Sequence, residues 1–218
     1  GEAIEIVDLT GAPVRELAPV EDGWRYLGLE WSPDETYVAY MRNHATGQHF
    51  YEVNADGSGF EMVGAYESAT AKLSADGSRV AYLEPGDSTK DKPAAHLWLA
   101  DADGSSAAEV GVTGVISFAW SPDGRQLILA TVGIKGGLAT LYLVNADGSG
   151  LREIKTSTTV SVDSMPGIWS PDGSMVAFTF GDIFVVEVET GEVRYLAQTA
   201  DKLSGQRSWS ADSKKLVY

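Results

Sequence analysis

The stretch WSPDG stands at residues 120–124 and again at 169–173. Three variants of it occur elsewhere, WSPDE at 31–35, LSADG at 73–77 and WSADS at 209–213. The copies are spaced by roughly 40 to 50 residues, which is the repeat length of propeller blades. Pro, Asp and Gly in this order are typical of a tight turn that ends in a left-handed residue. The repeat therefore predicts five related β units, each opening with a strand and a turn.

The residues after each copy indicate three further strands. In the first unit they are YVAYMR at 37–42, the alternating run HFYEVNADG at 49–57, and FEMV at 60–63. The opening residues 3–17 match only the third and fourth strands of a unit, whereas the closing residues 208–218 match only the first and second. The sequence thus predicts an all-β, five-bladed β-propeller of four-stranded antiparallel blades. We expect the ring to be closed by a blade shared between the N- and C-termini, which leaves no open sheet edge there.

This interpretation sets the domain organisation as one β-propeller domain over residues 1–218. The shared blade comprises residues 1–20 and 205–218, and the four whole blades cover about 24–65, 69–112, 114–157 and 164–198. The alternative is a fragment of a longer array of six to eight blades, in which the two half-blades do not meet within one chain.

A second repeated stretch raises the question of a metal. NADGSG occurs at 54–59 and 145–150, with the variant DADGSS at 101–106. Each copy lies between a third and a fourth strand, where Asn, Asp and Gly are typical hairpin residues. The variant lacks the third acidic position and the distal Glu of a calcium loop. We therefore predict hairpin turns and no metal or other cofactor.

The charge and composition exclude several classes of function. The chain has 31 acidic and 16 basic residues, a net charge of −15, whereas a nucleic-acid partner requires a basic surface. It has no cysteine, which excludes disulfides, thiol catalysis and zinc–thiolate sites. No apolar run approaches the roughly 18 residues of a membrane-spanning helix. We expect no nucleic-acid partner, no membrane insertion and a monomer.

The sequence gives little support for catalysis. Of the three histidines, His49 and His96 occupy equivalent positions at the start of third strands, which favours repeat placement over a metal pair. Glycosidases place two or three carboxylates at the propeller axis. Directly before the Trp column the only acidic residue is Glu30, which we expect to pair with Lys72, with a contribution from Arg207. The prediction is a protein that is not an enzyme.

The pattern WSPDG, a β-branched strand and a third strand ending in NADGSG resembles the TolB-type propeller repeat, a relative of the WD-repeat class. The resemblance covers nearly the whole chain. It implies a bacterial periplasmic or extracellular protein whose propeller binds partner proteins. Related propellers gate serine peptidases, but no GxSxG nucleophile elbow occurs in this chain. The residues that carry the resemblance are Trp31, Trp120, Trp169 and Trp209 with Asp34, Asp76, Asp123, Asp172 and Asp212.

Variable loops on a rigid repeat are where binding specificity resides. The connections opposite the short turns are unlike one another, so this face is the predicted site for a protein or peptide partner. It contains residue types that anchor interfaces. The candidate ligand-binding residues are Trp24, Arg25, Tyr26, Arg42, His44, Tyr66, Met165 and Arg207.

Three functions remain open at this point. The preferred one is a non-enzymatic propeller that binds a protein or peptide near the axis. The second is a gating or accessory propeller of a peptidase or carbohydrate-active enzyme. The third is a carbohydrate-binding lectin, which requires similar pockets between successive blades, and the unequal loops argue against that equivalence.

Overall fold

The computed structural model describes residues 4–7, 10, 13–18, 25–32, 35–44, 47–66, 71–84, 95–132, 139–154, 167–180, 182–198 and 207–218. These residues form β-strands and turns. Among them there is no helix, and hence none with the length and apolar character needed to cross a membrane.

Twenty strands make up the described part of the chain. In order they are β1 (Ile4–Val7), β2 (Pro13–Ala18), β3 (Arg25–Trp31), β4 (Tyr37–His44), β5 (Gly47–Asn54), β6 (Glu61–Tyr66), β7 (Ala71–Leu73), β8 (Arg79–Glu84), β9 (His96–Asp101), β10 (Ala108–Thr113), β11 (Val115–Trp120), β12 (Gln126–Val132), β13 (Ala139–Asn145), β14 (Arg152–Ile154), β15 (Ile168–Trp169), β16 (Met175–Phe180), β17 (Asp182–Glu187), β18 (Val193–Gln198), β19 (Ser208–Trp209) and β20 (Leu216–Val217).

Sixteen of these strands form four sheets in which neighbours along the chain are neighbours in the sheet. The sheets are β3 to β6, β7 to β10, β11 to β14 and β15 to β18. The predicted four-stranded antiparallel sheets are therefore confirmed. The predicted fifth blade is not one sheet among the described residues, because β1 pairs with β2 and β19 with β20 in two separate sheets. Its closure stays a prediction.

The chain divides into two compact units, residues 1–82 with 100–107 and residues 83–99 with 108–218. In the first unit, a core cluster lies between the β1–β2 hairpin and the β3–β6 sheet. Ile4 and Leu17 come from the hairpin, and Val38 and Val53 come from the sheet. Burying each such side chain stabilises the fold by about 1.5–3 kcal/mol.

In the second unit, the main core cluster lies between the β11–β14 sheet and the β15–β18 sheet. Ile128 and Leu141 from one sheet belong to the same cluster as Val176, Phe178 and Phe184 from the other. All five side chains are buried, and the rings of Phe178 and Phe184 stack with centroids 5.6 Å apart. The apolar face of each sheet is therefore covered by its neighbour, as in propeller blades.

The WSPDG turns share one hydrogen-bond pattern. In the third sheet, Ser121 Oγ donates to Asp123 Oδ1 at 2.6 Å and accepts a bond from the backbone N–H of Gln126 at 3.0 Å. The same two bonds occur at Ser74, Ser170 and Ser210. The fifth position has positive φ in every copy, at Glu35 (59°), Gly77 (69°), Gly124 (68°), Gly173 (72°) and Ser213 (58°).

The NADGSG stretches are hairpin turns, as the sequence predicts. In the copy at 145–150, the N–H of Asn145 donates to the carbonyl of Ser149, and the N–H of Gly148 donates back to the carbonyl of Asn145, both at 2.9 Å. The Asp147 carboxylate accepts the N–H of Ser149 at 2.9 Å. These carboxylates therefore bond within their own turns. The copies at 54–59 and 101–106 form equivalent bonds.

Candidate binding site at the loop edge of the first sheet

The β3–β6 sheet differs between its two sides along the strand direction, where the strands begin and end. We call these sides edges, in contrast to the outer strands of the sheet. At one edge, which we name the turn edge, the WSPDE turn joins β3 to β4 and the NADGSG turn joins β5 to β6. The two turns are tied together because the N–H of Ala55 donates to the carbonyl of Thr36 at 2.9 Å. At the opposite edge, the loop edge, β3 and β5 begin and β4 and β6 end. The loop edge belongs to the face predicted to bind a partner.

The strand register brings most of the predicted site residues to this loop edge. One row across the four strands contains Tyr26, Arg42, His49 and Ala65, each paired with the next. The neighbouring row contains Arg25, Asn43, Gln48 and Tyr66, and His44 pairs with Gly47 beyond it. Five of the eight candidates therefore meet on one sheet edge, namely Arg25, Tyr26, Arg42, His44 and Tyr66.

Arg42 has a packing role at this edge. Its side chain is only 3% exposed, and its guanidinium carbon lies 5.1 Å from the centre of the Tyr51 ring. A cation over an aromatic face is attracted by the ring quadrupole, which offsets part of the cost of burying the charge. The Tyr51 ring in turn stacks with Tyr40, at 5.6 Å, and with Phe60, at 5.2 Å. The Tyr40 and Phe60 rings are themselves 6.5 Å apart, so the three rings form one cluster. Arg42 thus places a positive charge beneath the loop edge, while its contact with a partner stays a prediction.

The remaining candidates are not brought to this edge. Trp24 and Met165 lie outside the described residues. Arg207 directly precedes β19 in the second unit and is half-buried, with Nη1 fully buried. The expected pair of Glu30 with Lys72 also stays a prediction, because the Glu30 side chain lies outside the described part of the chain.

Charge is segregated between the two edges of the first sheet. Glu52 and Glu61 stand directly opposite each other on β5 and β6, two residues or fewer from the strand ends at the turn edge. Burial raises the pKa of Glu52, and the nearby Glu61 carboxylate raises it further. The loop edge contains two arginines and two histidines in its rows instead. In the first sheet, several basic and aromatic residues are therefore brought by the strand register to the loop edge, whereas Glu52 and Glu61 lie near the turn edge.

The histidines give no sign of a metal centre in the described part of the chain. His96 Nδ1 lies 2.6 Å from Glu109 Oε1, in a cross-strand contact that is about one third exposed. No group of three or more His, Asp or Glu residues that could hold a metal ion occurs among the described residues. His49, which the sequence attributes to repeat placement, is brought into register with Arg42. Counting antiparallel pairs from 44 with 47 to 42 with 49 would have placed His49 opposite Arg42 from the sequence alone.

No family model matches the chain, and no curated protein matches it. Several solved structures are similar to the chain. TolB from Acinetobacter baumannii is 17% identical, with a TM-score of 0.62, over 99% of this chain and 53% of that chain. An oligogalacturonate lyase in complex with manganese is 16% identical, with a TM-score of 0.69, over 99% of this chain and 67% of that chain.

A third similar structure is the β-propeller domain of the trilobed protease from Pyrococcus furiosus, described as having an open velcro topology. It is 14% identical, with a TM-score of 0.54, over 82% of this chain and 59% of that chain. The present chain spans about half the length of the TolB structure. Identities this low establish the architecture alone. The chain therefore has a β-propeller fold, and its structural neighbours include TolB, as the repeat resemblance predicts.

Proposed function

We propose that this chain is a non-enzymatic propeller module that binds a protein or peptide partner on its variable-loop face. The observation that carries the proposal is the meeting of Arg25, Tyr26, His44 and Tyr66 with Arg42 at the loop edge of the first sheet. Arginine and tyrosine are the residue types enriched in the centres of protein interfaces. A rigid sheet that ends in unlike loops is a suitable scaffold for such a site.

The opposite edge supports the same choice of face. The turn-edge side chains in the described repeats bond mainly to their own turns, as Ser121 does to Asp123 and Asn145 does to Ser149. These bonds recur from copy to copy, so they explain the repeated residues through local structure. The residues that differ between units lie mostly at the loop edges, where differences alter recognition without altering the fold.

The proposal includes a complete ring. Strands β19 and β20 supply the first two strands of a fifth blade, and β1 and β2 supply the last two, so five blades are closed by one shared sheet. We propose a monomer in the bacterial periplasm or outside the cell. The Pyrococcus protease propeller, with its open velcro topology, is the contrasting arrangement.

Site-specific photo-crosslinking tests the binding face. p-Benzoylphenylalanine is placed at Tyr26 or Tyr66 at the loop edge, and at Tyr195 as the matched control. Tyr195 lies on β18 in the second unit and is 52% exposed, so it is an accessible tyrosine that does not belong to the loop edge of the first sheet. The labelled proteins are irradiated with the periplasmic and secreted proteins of the source cells. We expect a discrete protein adduct from Tyr26 and Tyr66, identified by mass spectrometry and suppressed by excess unlabelled chain.

Adducts from Tyr195 alone, or none from any position, would contradict the proposed face. An enzyme is the second candidate, favoured by the likeness to the lyase over 99% of this chain. It is tested separately by incubating the purified chain with oligogalacturonate and with peptide substrates. Breakdown of either substrate, abolished by a substitution within this chain, would replace the proposal of a binding module.

A further inference from the structure

A cleft of about 160 Å³ opens between the third and fourth sheets, within the second unit. It lies at the WSPDG turns and therefore at the edge opposite the variable loops. One wall comes from the turn after β11, with Pro122 and Asp123, and the other from the turn after β15, with Pro171 and Asp172. Trp169 also lines it. Two carboxylates thus share a small cleft with an indole and two proline rings.

The walls of this cleft are fixed by hydrogen bonds. The Trp169 indole is held because Nε1 donates to the carbonyl of Ala119 at 3.2 Å. Asp123 accepts the Ser121 hydroxyl at 2.6 Å and the Arg125 N–H at 3.1 Å, both on Oδ1. Asp172 accepts bonds from Ser170 and Ser174 on its own Oδ1. The Ser213 hydroxyl, which accepts the N–H of Asp172 at 3.1 Å, is a further hydrogen-bond donor to the Asp172 carboxylate. An ionised carboxylate has about four acceptor positions, so both groups keep acceptor capacity for a ligand.

The charge of the cleft is permanent at neutral pH. Hydrogen bonds from Ser170 and Ser174 lower the pKa of Asp172 to about 2, and the Ser121 hydroxyl lowers the pKa of Asp123. A cationic side chain placed between the carboxylates would form charge-assisted hydrogen bonds, and an aromatic face nearby adds cation–π attraction. The overall net charge of −15 would speed the approach of a basic partner.

We propose that this inter-blade cleft is a second binding site, which takes an arginine side chain from a basic segment of a partner protein. The guanidinium group is planar and carries five donors, so it can bond two carboxylates at once while it lies beside an indole. The cleft volume suits one side chain. This site belongs to the second unit and shares no residue with the loop-face site proposed in the first unit, so the two proposals are independent.

Titration with a monovalent probe tests the cleft. The probe is the peptide Ac-Gly-Arg-Gly-amide, and its control contains citrulline, which keeps the shape of arginine and removes the charge. Binding is followed through the indole N–H resonance of Trp169 in NMR spectra, assigned by its loss in Trp169→Phe. We expect the arginine peptide to shift this resonance in a saturable way. The citrulline peptide should bind at least about tenfold more weakly, since it cannot form the charge-assisted bonds.

A pair of double variants separates this site from general attraction to an acidic protein. Asp123→Asn/Asp172→Asn removes both cleft carboxylates. The matched control, Asp76→Asn/Asp212→Asn, changes Asp residues that have the same Ser partners in the repeat but do not line the cleft. Both variants remove two negative charges. We expect the dissociation constant to rise about tenfold in the first and to change less than about twofold in the second.

Equal weakening in the two double variants would overturn the proposal, because it would show long-range attraction only. Unchanged binding in both would overturn it as well. If the first variant fails to fold, Gln126→Lys replaces it. Gln126 lines the cleft from β12, outside the turn, so a lysine there would occupy the cleft with its own charge. Arginine-peptide binding that survives Gln126→Lys would exclude the cleft as the site.

Discussion

The indole of Trp169 is hydrogen-bonded to the backbone carbonyl of Ala119, the residue directly before the preceding tryptophan of the repeat, Trp120. The next tryptophan repeats the relationship, because Trp209 Nε1 donates to the carbonyl of Ile168, directly before Trp169, at 3.0 Å. Each of these tryptophans thus joins its own sheet to the sheet before it. Two members of the Trp column of the sequence therefore form inter-blade hydrogen bonds.

Substituting Trp169 by phenylalanine should destabilise the protein. The ring would still fill part of the space between the sheets, but the carbonyl of Ala119 would lose its donor and a small cavity would form. We expect a loss of about 1–3 kcal/mol in the free energy of unfolding, measured by urea denaturation. Trp31→Phe is the matched control, because Trp31 is 48% exposed and should cost less. An equal loss at both positions would argue against a specific inter-blade bond.

Glu35 occupies the left-handed position that three other copies of the repeat fill with glycine. Its φ is 59°, which strains a residue with a Cβ atom. Glu35→Gly should therefore stabilise the protein by up to about 1 kcal/mol, since glycine adopts this conformation freely but loses more backbone entropy on folding. The measurement is the shift in the urea midpoint at unchanged m-value.

The opposite change, from glycine to a residue with a Cβ atom at the left-handed position, can be made in the turn of the fourth sheet. Gly173 has a φ of 72°, and no atom lies within 4 Å of where its Cβ would be. Gly173→Ala therefore tests backbone strain without a steric clash and should cost about 1–2 kcal/mol. A neutral Gly173→Ala variant would show that this position does not impose the left-handed conformation.

Stability should fall in acid because of the turn carboxylates. Bonds from Ser170 and Ser174 lower the pKa of Asp172 from its usual 3.8 to about 2, and the pKa values of Asp123 and Asp212 are also lowered. The unfolded chain binds these protons first as the pH falls. The stabilisation is therefore complete above about pH 4 and is lost between about pH 4 and pH 2. Urea unfolding at a series of pH values measures this loss.

Two variants check the assignment of this pH dependence. Asp172→Asn should be less stable at neutral pH and should show a flatter dependence in the acid range. Glu52 contributes the opposite pH dependence of stability, because burial raises its pKa, and Glu52→Gln should remove that contribution. Glu52 favours the folded state below about pH 4.5, and this contribution falls as the pH rises towards its folded pKa. If Asp172→Asn keeps the full acid dependence of the parent protein, the turn carboxylates are not its source.

The turns could be predicted from the sequence because their hydrogen bonds are local: Ser121, Asp123 and Gln126 span only six residues. The packing of Arg42 is also implicit in the sequence. Tyr40 and Arg42 are two residues apart on one strand and so share a face, and Tyr40 is in the buried core. Residue type alone pointed to an interface, and that role of Arg42 stays a prediction. The inter-sheet cleft could not be foreseen, since it depends on where two turns about 50 residues apart in sequence meet.

Ring closure is the prediction that pairs strands with the largest separation in the sequence. If β1 completes the sheet begun by β19 and β20, deleting residues 211–218 removes β20 and should expose the backbone of β1, about 200 residues away. We expect faster hydrogen–deuterium exchange at Ile4–Val7 in the truncated protein. We also expect a broader, less cooperative unfolding transition, because a ring without its closing strands loses the contacts that couple its ends.

The exchange rates in β11 to β13 provide the internal control for this deletion. These strands belong to a four-stranded sheet that is complete without the C-terminus, so their protection should change little while β1 loses its own. A general rise in exchange across both regions would indicate global destabilisation and would need comparison with Trp169→Phe at matched stability. Unchanged protection at Ile4–Val7 would exclude the shared blade, since removing a paired strand cannot leave the hydrogen bonds of its partner intact.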